Sequence, residues 1–135
     1  MASNSWWRRL FQRDASEPDL ATADLVEVAS SFDDAEACSA ALARAVDWQP
    51  EQPVVLRHLL RLPAGRVEEV RAIAAQDGYS IQDGDLDADP VEVALQRVQL
   101  LDALHCSQER SRMAGLAQRH DGEVLGWLAL QPRRS

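Results

Sequence analysis

The chain has 135 residues, of which 46% are hydrophobic and 27% charged, with a formal net charge of −8. That describes one domain with an appendage, and no apolar run approaches the roughly 20 residues of a membrane-spanning helix. The negative balance argues against nucleic acid as a direct ligand, because neutralising phosphates takes clustered cations.

All 14 basic residues are arginine and lie scattered, whereas the acids come in blocks. Asp14 to Glu36 and Asp77 to Glu92 each run without a base. Such blocks form solvated surface, or a docking surface for a basic partner.

Residues 1–20 read as an N-terminal tail. In "SWWRRLFQRD" the charges follow the aromatics and no apolar segment precedes a cleavage site, so secretion is not indicated and the expected location is cytoplasmic. "WWRRLF" reads either as a short anchor for a membrane surface or partner, or as a tail docking Trp6 and Trp7 on its own domain.

Residues 21–50 form an N-terminal arm with one helix. Leu25, Val26 and Val28 fit a short strand or a short helix equally. "DDAEACSAALARAVDW" predicts a helix from Asp33 to Trp48, with Asp33 and Glu36 as a capping box and Cys38, Ala41, Leu42, Ala45 and Val46 as its apolar stripe. Pro50 and Pro53 forbid its continuation.

Residues 51–132 read strand, helix, strand, strand, helix, strand. "VVLRHLLRL" puts Val54, Leu56, His58, Leu60 and Leu62 on one face and Val55, Arg57, Leu59 and Arg61 on the other. The following helix turns Val67, Val70, Ile73 and Ala74 inward and stops at Gly78. "YSIQ" is a short strand and "DGDLDADP" a loop. "VEVALQRVQLL" is a longer strand, with Val91, Val93 and Leu95 on one face. The second helix carries Cys106, Met113, Leu116, Ala117 and His120 along one side and stops at Gly122. "EVLGWLAL" returns as the last strand, where Trp127 stands on one face and Gly126 permits close packing on the other.

This order predicts an α+β fold, ferredoxin-like βαββαβ, with a four-stranded antiparallel sheet, two helices on one face and an extra N-terminal helix. The strands should begin near Val54, Tyr79, Val91 and Glu123. The opposite sheet face then needs cover, from the helix at 33–48 or from a partner protein.

Residues from about Gln52 to Gln131 resemble the bacterial regulator of ribonuclease activity B family. The resemblance lies in "VVLRHLLRLPAGRVEEVRAIAAQDGYSI", in the acidic connection "DGDLDADP", and in the closing "RMAGLAQRHDGEVLGWLAL". It implies an inhibitor of ribonuclease E, a protein that binds the endoribonuclease assembly and restrains RNA turnover by contact, with no catalysis and no cofactor of its own.

Chemical motifs are sparse. Asp83, Asp85, Asp87 and Asp89 alternate as in a calcium loop, but Ala88 and Ala94 stand where such a loop needs Gly and Glu. His58, His105 and His120 show no ligand spacing, and His58 reads as a satisfied core or sheet histidine. Ser107 beside His105 lacks a third orienting group. Cys38 and Cys106 read as buried thiols.

The resulting expectation is a non-enzymatic, protein-binding regulator whose partner-binding residues are Asp83, Asp85, Asp87 and Asp89, facing a basic segment of a ribonuclease or its scaffold. The alternatives are a small-molecule-binding ferredoxin-like module and a dimeric α+β barrel enzyme, either of which would use Arg57 and Arg61.

Overall fold

The computed structural model describes residues 24–133. The tail and its "WWRRLF" segment lie outside the described residues. Among the described residues the fold is α+β, a single antiparallel sheet with three α-helices.

In chain order the elements are β1 (Leu25–Ser31), α1 (Cys38–Ala43), β2 (Val54–Leu62), α2 (Val67–Gln76), β3 (Ser80–Asp83), β4 (Val91–Gln99), α3 (Ala103–Arg119) and β5 (Glu123–Pro132). The sheet order is β1-β5-β2-β4-β3. It has five strands in place of the four expected. The segment at 24–30 is a strand, and it hydrogen-bonds along β5 from Leu25 opposite Pro132 to Ser31 opposite Trp127. Its few apolar residues gave no local reason to prefer strand; the free edge of β5 supplies one.

The alternation in β2 works as its pattern requires. Val54, Leu56, Leu60 and Leu62 are fully buried, and His58 is 1% exposed. Leu60 and Leu62 meet α2 and the C-terminal half of α3 through Val70, Met113 and Leu116. Val54 and Leu56 meet α1 and the start of α3 through Ala41, Leu42 and Cys106. All three helices therefore pack on one face. The expected cover of the opposite face, that of Arg57 and Leu59, by the first helix is corrected: Ala41 and Leu42 fill the space that α2 and α3 leave beside Trp127.

That helix is also much shorter than its periodicity implied. Asp33 and Glu36 do not cap it. The Asp33 carboxylate accepts from the Ala35 amide at 2.9 Å, a local turn, while Glu36 takes hydrogen bonds from Arg44 and Ser31. With its acids engaged elsewhere, the segment starts helix only at Cys38, after Ala37, which offers no side-chain cap.

Both longer helices end in a Schellman turn. Behind α2, Gly78 takes φ 82°, and the Tyr79 amide reaches back to the Ala74 carbonyl at 3.0 Å. Behind α3 the left-handed residue is Asp121, at φ 60°, and not Gly122. Gly122 is needed for a different reason: a Cβ there would lie 2.5 Å from the Arg61 carbonyl oxygen and 2.6 Å from Leu62 Cδ2. Gly126 is likewise a close-approach glycine. Phe32 lies directly over it, and an added Cβ would meet Phe32 Cδ1 and stand 2.7 Å from the Ser31 carbonyl oxygen.

Candidate functional site

The four loop aspartates do not act as one cluster. Asp83 is drawn to Arg71 (2.6 Å), which also holds Glu68, and the Asp89 carboxylate accepts the Ala64 amide at 3.1 Å. Asp85 closes a turn by accepting the Asp87 amide at 2.9 Å. Asp83 and Asp89 therefore tie the loop to the start and middle of the α2 segment. Asp85 and Asp87 are exposed, and among the described residues neither they nor Asp89 have an arginine partner.

Arg57 and Arg61 are both engaged across the sheet. Arg57 Nε donates to Gln96 Oε1 at 2.7 Å, and Arg61 pairs with Glu92 at 3.2 Å and Glu123 at 3.8 Å. Among the described residues, no three His, Cys, Asp or Glu side chains converge as a metal site would require.

A second group of polar residues gathers around a buried acid on α3. Glu109 sits on the inward stripe of α3, three residues after Cys106 and four before Met113, with its side chain 8% exposed. Tyr79 Oη donates to Glu109 Oε1 at 2.6 Å. Arg97 reaches the same carboxylate at 3.2 Å and Arg112 at 3.3 Å. Arg97 also lies 4.5 Å over the Tyr79 ring. Burial, then the Glu109 carboxylate, push the tyrosine hydroxyl far above its ordinary range. The cluster pins α3 to the turn after α2. The sequence did hold a signal for it, since an acid in an apolar helical stripe needs a buried partner.

His58 touches this cluster from one side, edge-on to Tyr79 with ring centroids 5.9 Å apart. On the other side it lines a cleft of about 230 Å3, walled by the β1–α1 turn, α3 and the first half of β5. It is not the satisfied histidine expected from its place in the strand. Both its nitrogens are buried without a hydrogen-bond partner among the described residues, as is the indole Nε1 of Trp127, which lies opposite His58 in the sheet and lines the same cleft. The register shift between Leu59 and Leu60 bulges β5 at Leu125 beside this cleft, a device that re-aims neighbouring side chains. Arg110 stands at the rim, its guanidinium donating to the carbonyls of Asp33 and Glu36. Asp33, Asp34 and Glu123 line the rim as well.

Burial holds the imidazole pKa down, from 6.5 to about 4, with Glu109 opposing the shift and Arg97 adding to it. Below pH 6.5 the unfolded chain takes up a proton that the folded chain refuses until about pH 4. The His58 contribution to stability is therefore flat above 6.5, declines as pH falls through that window, and is flat again below it. The loss should total about 3 kcal/mol. Denaturant unfolding of the wild type and His58→Phe between these pH values checks this. The variant should lose that part of the slope, and equal slopes for the two proteins would place the proton elsewhere.

Cys38 and Cys106 are buried, free thiols. Burial and their mutual hydrogen bond raise the Cys106 pKa, so it has little thiolate character. No described helix is long and apolar enough to cross a membrane. Comparison of the chain with protein-family models, with characterised proteins and with solved structures finds no match.

Proposed function

We propose that the protein is a non-catalytic, protein-binding regulator that acts in the cytoplasm, docking an acidic surface on an arginine-rich segment of a ribonuclease or its scaffold. The observation that carries this reading is how the charges are distributed. Among the described residues, several arginines are committed to the fold: Arg61 to Glu92 and Glu123, Arg71 to Glu68 and Asp83, Arg97 and Arg112 to Glu109. Asp85 and Asp87 of the β3–β4 loop are exposed and, among the described residues, have no arginine partner, so the loop's field faces outward. The order β5-β2-β4-β3, with α2 and α3 on one face, supports a ferredoxin-like core for residues 51–132. The resemblance to the regulator of ribonuclease activity B family supports the choice of partner.

Because Asp83 and Asp89 serve the loop itself, the test belongs on the other two. Asp85→Asn with Asp87→Asn keeps the Asx turn and removes two charges. Association with a purified ribonuclease E carrying its arginine-rich segment should slow about three- to tenfold, and should weaken further as salt rises from about 50 to about 200 mM. Unchanged kinetics under both manipulations would sink the acidic-loop mechanism.

A second reading, a module that binds a small molecule, is favoured by the cleft over His58 and Trp127.

A further inference from the structure

The sheet face away from the helices is unevenly buried. Val55 points there between Leu130 and Val98 and is 0% exposed. Gln96, opposite Arg57 in the next row, is 4% exposed. At the other end of the same face Gln82, Glu92 and Glu123 are exposed. Helices do not account for the difference, because all three described helices pack on the opposite face, through Leu56, Leu60 and Leu62. The burial is that of one chain, so no second copy and no partner protein supplies it.

The covered end is the end at which the N-terminal segment enters the sheet. Leu25 pairs with Pro132 at the start of β1, and Glu27 pairs with Leu130, the neighbour of Val55. From Asp24 back to Phe11 the chain has 13 residues. They reach up to about 43 Å at roughly 3.3 Å each, whereas the strand spacings from β1 across β5 and β2 to β4 sum to about 14 Å.

The composition of that segment matches the surface. Residues 1–13 hold three arginines and no acid, in a chain of net charge −8. At about 100° per residue, Trp6, Trp7, Leu10 and Phe11 fall within one arc of about 140°, and the arginines fall outside it. Such an arc suits Val55 and the half-buried Val98, Leu128 and Leu130. Arg57, whose Nε donates to Gln96, has no carboxylate partner among the described residues, and a guanidinium so placed suits an indole face. Glu27, Glu92 and Glu123 stand exposed at the margins of the same face, where the arginines of the segment would lie.

We propose that residues 6–11 dock within their own chain on this end of the sheet, with Trp6 and Trp7 over Val55 and Arg57 and with Leu10 and Phe11 on the neighbouring leucines. The segment is then part of the domain, the cover that the helices leave out, and is no anchor for a membrane or a second protein. The site is independent of the acidic loop and of the partner proposed above.

The test uses the full chain with labelled Val and Leu methyls, the indole N–H signals of Trp6 and Trp7 being assigned by single substitution to Phe. Nuclear Overhauser contacts are expected from these indoles to methyls of Val55, Val98, Leu128 or Leu130. They should vanish from an isotope-filtered spectrum of mixed labelled and unlabelled chains, which reports contacts between chains alone. Trp6→Ala with Trp7→Ala should shift the same methyl signals and lower the thermal midpoint by about 5 °C or more. It should also raise binding of the apolar dye ANS at least about twofold with the far-UV spectrum retained. No indole contact on that face overturns the inference, and cosedimentation with vesicles of anionic phospholipid would then make the segment a membrane anchor. Contacts found only between chains overturn it in favour of a second copy. A double variant with unchanged methyl signals, midpoint and dye binding overturns it as well. None of these measurements uses a partner protein, so their failure leaves the regulator reading standing, and failure of partner binding leaves this docking standing.

Discussion

Trp127→Ala should lower the unfolding free energy by about 3–5 kcal/mol, the range for deleting a buried large aromatic side chain. The ring is 1% exposed and packs with Leu42, Leu56, Cys106 and Ala129, where α1, α3, β2 and β5 all meet. A cavity opened there cannot collapse easily, because sheet registers on both sides of β5 fix the backbone. The thermal midpoint should fall on the order of 15 °C or more for a domain of this size. Trp127→Phe keeps most of the volume and removes the unpaired indole N–H, so its cost should be about 1 kcal/mol or less. If the alanine variant melted with the wild type, Trp127 would have to lie on a surface, and the assignment of this core would be wrong.

Glu109→Ala should cost a similar amount, about 3–5 kcal/mol, through a different mechanism. The carboxylate is the shared acceptor of Tyr79, Arg97 and Arg112. Its removal leaves the tyrosine hydroxyl buried without a partner and strips Arg97, whose side chain is only 26% exposed, of its counter-charge. Arg112 suffers less, being half-exposed and also paired with Asp77 at 3.2 Å. Two comparisons separate the terms. Tyr79→Phe removes the hydroxyl alone and should cost about 1 kcal/mol. Made on top of Glu109→Ala, it should cost less than it does alone, or even stabilise, because the hydroxyl is by then unsatisfied. Strict additivity of the two substitutions would contradict a shared network. Urea titration of the four proteins reads the cycle directly.

Much of the fold was legible because it follows from period. The alternation at Val54–Leu62 predicted β2 over its whole observed length, and the stripes in α2 and α3 named the residues that are buried: Val67, Val70, Ala74, Met113, Leu116 and Ala117. The starts of β4 and β5 fell where expected, and β3 began one residue later, at Ser80. Short or interrupted signals fared worse. At 24–30 three apolar residues could not distinguish strand from helix, and at 33–48 a helical stripe survived only over Cys38–Ala43. The aspartates at 83–89 were visible as a charge block, but nothing local said that Asp83 would meet Arg71 or that Asp89 would cap the Ala64 amide.

The sequence by itself determined the α+β class, the succession of the elements from β2 to β5, the faces that β2 and β4 bury and the acidity of the surface. Each depends on hydrophobic period or charge within a dozen neighbouring residues, which any reading of the chain can count. Only the tertiary structure decided that β1 extends the sheet beyond β5, that all three helices share one face, that Glu109 gathers Tyr79, Arg97 and Arg112, and that His58 and Trp127 stand side by side over one cleft. Those outcomes bring together residues far apart in the chain, such as Leu25 with Pro132 and His58 with Trp127. Local propensity carries no term for such pairs; they are selected by the competition of every long-range pairing for the same buried surface.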